Sequence, residues 1–180
     1  LAAAREANLP SSKLAEPLAE ALEDLPDHVM EMGRAPERFV ELRLSLPKPR
    51  PAVGEPIPVT VELVNTSEQA VPVGPGGLFT PVVFLNVKVG PDEAAFPELT
   101  TAVLPAPGEL AGGQAVSTTV RVDVGELETY LMRRPAEALT LTVAAVLDPE
   151  QVASGRRLRS TVPGVKVTPA EVVRRPLLPA

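Results

Sequence analysis

VGEPIPVTVELVNTSEQAVPVG, Val53 to Gly74, is the stretch on which the fold turns. Ile57, Val59, Val61 and Leu63 alternate with Pro58, Thr60 and Glu62, the period of two that gives a strand one apolar and one polar face. The alternation stops at Asn65-Thr66-Ser67-Glu68-Gln69, where Asn and Ser side chains bond to their own local backbone and favour a turn. Such a unit belongs in an antiparallel sheet that rests one face on a core.

The same period recurs on both sides. Upstream, Val40, Leu42, Leu44 and Leu46 alternate with Glu41, Arg43 and Ser45. Between the two runs lies PKPRPAVGEP (47–56), with four prolines in ten residues, which cannot pair as a central strand. Downstream, Val83, Leu85, Val87 and Val89 alternate, then LTTAVL (99–104) does so weakly, and PAPGELAGG (105–113) reads as loop. Val116, Val120, Val122 and Val124 alternate with Ser117, Thr119, Arg121 and Asp123. GELETYLMRRP (125–135) interrupts as a short helical turn with Leu127, Tyr130 and Leu131 on one face. Leu139, Leu141, Val143, Ala145 and Leu147 form the clearest strand, and RLRSTV and GVKV close the set. The count is seven or eight short strands without a βαβ rhythm, which predicts a mainly β, antiparallel two-layered sandwich over 37–170. A closed barrel is the alternative, but the proline-rich linkers suit connections that switch sheets.

Residues 1–36 follow another period and predict a helical appendage or linker. Leu14, Leu18, Leu22 and Leu25 recur at helical spacing, backed by Glu16, Glu20, Glu23 and Asp24. Pro17 is tolerated only in a first turn, Pro26 ends the helix, and DHVMEMG adds a further turn closed by Gly33 in the left-handed position. Burying one leucine side chain is worth ~1.5–3 kcal/mol, so this stripe predicts docking on the sandwich or on an adjoining domain or subunit. The tail 171–180 carries no readable pattern.

Two stretches resemble a known family. VGEPIPVTVELVNTS is similar to the second strand of bacterial immunoglobulin-like and cell-adhesion-related modules. VDVGELETYLMRRPAEALTLTVAAVLD resembles the strand, tyrosine corner and penultimate strand of those sandwiches, although Pro135-Ala136-Glu137-Ala138 stands where they have Pro-Gly-x-Tyr. The resemblance spans roughly Leu42 to Val167 and implies an immunoglobulin-like sandwich in which Tyr130 packs at a corner, its hydroxyl bonded to nearby backbone.

Composition narrows the chemistry. Hydrophobic residues make up 44% and aromatics 3%, so the core must be Val, Leu and Ala. The net charge of −6 disfavours nucleic-acid binding, which needs a dense basic surface. With no cysteine, disulfides, thiolate nucleophiles and cysteine-based zinc sites are excluded. No apolar run approaches the ~20 residues that span a bilayer. The start at Leu1 reads as a mature, processed or excerpted chain, and the compartment stays open, with the cell envelope or secretion ahead.

Candidate reactive groups lack their contexts. The single histidine, His28, sits beside Asp27 without a nucleophile elbow, so a solvated or helix-terminal role is favoured. Gly74, Gly76 and Gly77 suggest a phosphate cradle, but Leu78-Phe79-Thr80-Pro81 leads into a strand where a cradle needs a helix. Carboxylates at Asp92/Glu93, Glu126/Glu128 and Asp148/Glu150 lack a calcium-loop series. Arg156, Arg157 and Arg159, with Arg133/Arg134 and Arg174/Arg175, are the basic concentrations, and a solvated face is their ordinary role. Sugar faces lean on exposed Trp and Tyr, whereas this chain has no Trp and one Tyr, so carbohydrate is disfavoured as a ligand. Asn65-Thr66-Ser67 matches a glycosylation sequon, to which no weight attaches.

The expectation is a non-catalytic structural or protein-interaction module of a larger protein or assembly, without cofactor, metal or catalytic residues. Its contacts are expected through Leu14, Leu18, Leu22 and Leu25 and through Leu78 and Phe79. The rival is a protease-inhibitor-like sandwich acting through an exposed loop from Gly74 to Pro81; an enzyme using loop carboxylates ranks below both.

Overall fold

The computed structural model describes residues 27–74, 77–90, 93–147 and 158–169. The leucine stripe at 14–25 and the tail 171–180 lie outside them. Helix α1 (Asp27–Arg34) and a single 3-10 turn (Pro36–Arg38) lead into strands β1 (Val40–Ser45), β2 (Pro58–Asn65), β3 (Val71–Val73), β4 (Val82–Val89) and β5 (Ala94–Val103). After β6 (Gly108–Leu110) and β7 (Ala115–Arg121) comes helix α2 (Gly125–Met132), then β8 (Leu139–Leu147) and β9 (Arg159–Val167). The protein is mainly β, and every ladder between these strands is antiparallel.

The strands form open sheets. One has the order β1-β2-β7, another β5-β4-β8-β9, and β3 pairs with β6 in a small ribbon. Neither large sheet closes on itself, so the fold is not a closed barrel. Val59, Val61 and Leu63 of β2, Val83, Leu85, Val87 and Val89 of β4, and Leu141 and Val143 of β8 are buried on a shared core, and their alternate neighbours face outward. Alternation fixes this register, because a slip of one residue would carry the whole inward set of a strand to the wrong face. Of the residues expected inward, Leu42 and Val122 are also buried, whereas Leu44 and Val120 are half-buried and packed against the core from its margin.

The proline-rich segment after β1 crosses between sheets. β1 pairs with β2, but farther on Val53 N–H donates to Thr168 O (2.9 Å) and Thr168 N–H to Pro51 O (2.9 Å). Lys166 N–H likewise donates to Pro49 O (3.2 Å), so the segment lies along the end of β9 in the other sheet. Proline has no N–H to give, yet its carbonyl still accepts, which suits it to this one-sided edge role.

Several elements differ from expectation. Helix α1 runs through Gly33 to Arg34, so Gly33 does not cap it. Met32 and Pro36 are buried and Met32 belongs to the core, so the end of the appendage packs on the sheets. β5 is ten residues long where the sequence showed a weak 99–104, because a bulge at Pro97-Glu98-Leu99 breaks its period. There Glu98 takes φ 49° and its N–H bonds to Asn86 Oδ1 (2.8 Å). β6 forms within the stretch read as loop, and RLRSTV and GVKV fall in one strand with a bulge at Pro163-Gly164.

Candidate functional site

Among the described residues, two polar side chains are buried, Asn65 and Asp123. Asn65, at the end of β2, is 0% exposed. Its Nδ2 donates to Gln69 O (2.6 Å) and Leu110 O (2.7 Å), and its Oδ1 accepts from Ser67 N–H (2.9 Å) and Ser67 Oγ–H (2.8 Å). The side chain thus binds the turn after β2 to β6 with its donors and acceptor in use. The turn is pressed against the loop before β7 so closely that a Cβ on Gly112 would stand 2.7 Å from Glu68 O. The sequon asparagine is therefore a structural clamp, its amide nitrogen committed and buried.

Asp123, after β7, is 7% exposed. Its Oδ1 accepts from Ile57 N–H (2.7 Å), and Arg121 grips both carboxylate oxygens. Burial opposes ionisation, but the hydrogen bonds from Arg121, from Ile57 N–H and from its own N–H outweigh it and hold the carboxyl below its usual range. The carboxylate thus substitutes for a ladder partner at the start of β2.

The third constellation surrounds Tyr130. Gly125, at φ 54°, turns the extended chain into α2, whose Leu127 and Leu131 are buried and whose Tyr130 is half-buried. The Tyr130 ring meets the Phe96 ring of β5 edge-on, with centroids 5.6 Å apart and planes at 72°. The Arg134 guanidinium lies 3.8 Å over the Tyr130 ring, while its Nε stands 3.9 Å from Glu93 and 3.6 Å from Glu137. The Tyr130 hydroxyl donates to Glu93 Oε1, not to backbone as expected, and this bond raises the phenol above its ordinary value. An open groove of about 500 Å³ runs alongside, lined by Phe96, Glu126, Tyr130, Arg133 and neighbours. Glu93 is occupied as an acceptor and Arg134 as a stacking cation, so the cluster ties α2 to β5.

The remaining candidates disperse. The loop Gly74–Pro81 folds back on β3: Gly74 N–H donates to Phe79 O (2.9 Å), and Leu78 N–H to Pro72 O (2.8 Å). Phe79 is 5% exposed and Leu78 half-buried against the core, so the described part of this loop is not a convex projection. His28 falls within α1, with its side chain outside what is described, as are Asp92, Asp148, Glu150 and the arginines at 156, 157, 174 and 175. Among the described residues no group of three or more His, Cys, Asp or Glu converges to hold a metal, and no helix is long and apolar enough to cross a membrane.

Sequence reasoning missed Asn65 and Asp123. For Asn65 the available signal was a polar residue at the exact inward beat of the β2 alternation. Asp123 gave none, since it falls on the polar beat of β7. Compared with known proteins, the chain matches no family model and no curated protein.

Proposed function

We propose that the chain is an immunoglobulin-like β-sandwich acting as a non-catalytic structural or protein-interaction module. The observation that carries the reading is the commitment of its best-placed polar side chains to the framework. Asn65 clamps a turn, Asp123 anchors the start of β2, and the Tyr130–Glu93–Arg134 cluster fastens α2. The immunoglobulin-like assignment is supported by the strand orders β1-β2-β7 and β5-β4-β8-β9 and by the crossing of the proline-rich segment from β1 to β9. A working surface then consists of strand edges, loops and the leucine stripe Leu14, Leu18, Leu22 and Leu25, which suits a protein partner or an adjoining subunit. The buried Phe79 takes support from the inhibitor reading, since an inhibitory loop must present its side chains.

The test is to capture binding proteins on the immobilised chain from native extract, purify them and rebind them by calorimetry, beside a panel of hydrolase substrates. A protein that rebinds stoichiometrically supports the proposal. Turnover of a substrate that is lost in Glu93→Gln or Glu126→Gln would overturn it.

A further inference from the structure

Resting on the reading of the chain as an interaction module, we infer that β7 is a pairing edge that joins a second copy of this chain in a continuous antiparallel sheet. The sheet edges are treated unequally. β5 carries the bulge at Pro97-Glu98-Leu99. β9 carries the bulge at Pro163-Gly164 and is covered at its end by Pro49–Val53. β1 exposes the charged pair Glu41 and Arg43 and runs out into prolines. These are the devices that prevent strand addition. β7, Ala-Val-Ser-Thr-Thr-Val-Arg, has none: no proline, no glycine and an unbroken register with β2. Its one charge, on Arg121, is engaged by Asp123.

No described backbone group is bonded to the outer side of this edge, although β5 of the other sheet runs near it. Asn65 N–H bonds to Gln114 O (2.9 Å) and Val122 N–H to Ile57 O (3.1 Å), so in this register Val116, Thr118 and Val120 direct their backbone groups to β2. Ala115, Ser117, Thr119 and Arg121 direct theirs outward, where no backbone partner among the described residues reaches them. On the inner face Val116 and Val120 stay half-buried, packed on the core from one side.

The strand is also complementary to itself. A two-fold axis through Thr118 sets Ser117 against the partner's Thr119, Val116 against the partner's Val120, and Ala115 against the partner's Arg121. No like charges meet, the valines gain cover, and about eight backbone hydrogen bonds form.

The experiment is analytical ultracentrifugation of the full chain up to roughly 300 μM, with amide exchange at Ser117 and Thr119. A concentration-dependent dimer is expected, with both amides protected only as it forms. Thr119→Pro removes an outward N–H without touching the β2 ladder and should give a monomer. If it lowers the melting temperature, the pair Ser117→Lys and Thr119→Lys decides, since lysines opposed across the axis should weaken the dimer about tenfold or more. A chain monomeric at that concentration, a dimer unchanged in these variants, or protection of both amides in the dilute monomer would overturn the inference. A monomer that still binds another protein stoichiometrically would sink this inference alone and leave the module reading standing.

Discussion

At Asn65 one side chain satisfies backbone groups from two separate segments. Replacing it with alanine strands the buried Leu110 carbonyl and takes the acceptor from Ser67 N–H, whereas Gln69 O keeps the Ser67 hydroxyl; an unsatisfied buried group costs about 1–3 kcal/mol. Asn65→Ala should therefore lose about 2–3 kcal/mol in urea unfolding, and Asn65→Asp more, because a carboxylate would face two carbonyls. A loss confined to a few tenths would mean that water takes over the clamp. Asp123 adds a pH dependence. Its carboxyl is held below the ordinary range in the fold, while the unfolded value is near ~4. The stabilisation is therefore complete above about pH 4 and lost as pH falls through the folded value. Asp123→Asn should melt below the native chain at neutral pH, and the gap should narrow in acid. A gap of constant size between pH 7 and pH 2 would contradict the assignment.

Among the elements, legibility followed periodicity. β2, β4 and β8 have uninterrupted alternation, and the residues expected on their inner faces are there. β5 and β9 were blurred because each absorbs a proline-containing bulge, which shifts the beat partway along the strand. β3 and β6 are three residues each, too short to show a period. Asn65 also holds β6, through a bond to Leu110 O 45 residues away that no local pattern announces. The packing of Tyr130 against the core was legible, but not the bond of its hydroxyl to Glu93, 37 residues away. At the other end, α1 contributes Met32 to the core, a contact its own local sequence does not announce. Met32→Ala should cost about 2–5 kcal/mol, as deletion of a buried side chain leaves a cavity. Removing residues 1–36 should lower the melting temperature while leaving a β-type circular dichroism spectrum. An unchanged melting temperature in both variants would show that α1 is not docked.

For the molecule as a whole, a core of valine and leucine, almost without aromatics, is arranged as two open antiparallel sheets with their inner faces in common. The sandwich reading depends on that openness and on the chain changing sheets after β1. Cross-strand nuclear Overhauser contacts test both at once. The account predicts contacts from Leu63 to both Leu42 and Val116, from Val87 to both Val143 and Phe96, and from Ala52 to Thr168. Ladder contacts between β7 and β5 within one chain would join the sheets toward a barrel, and absence of those from Ala52 to Thr168 would remove the change of sheet after β1; either result contradicts it.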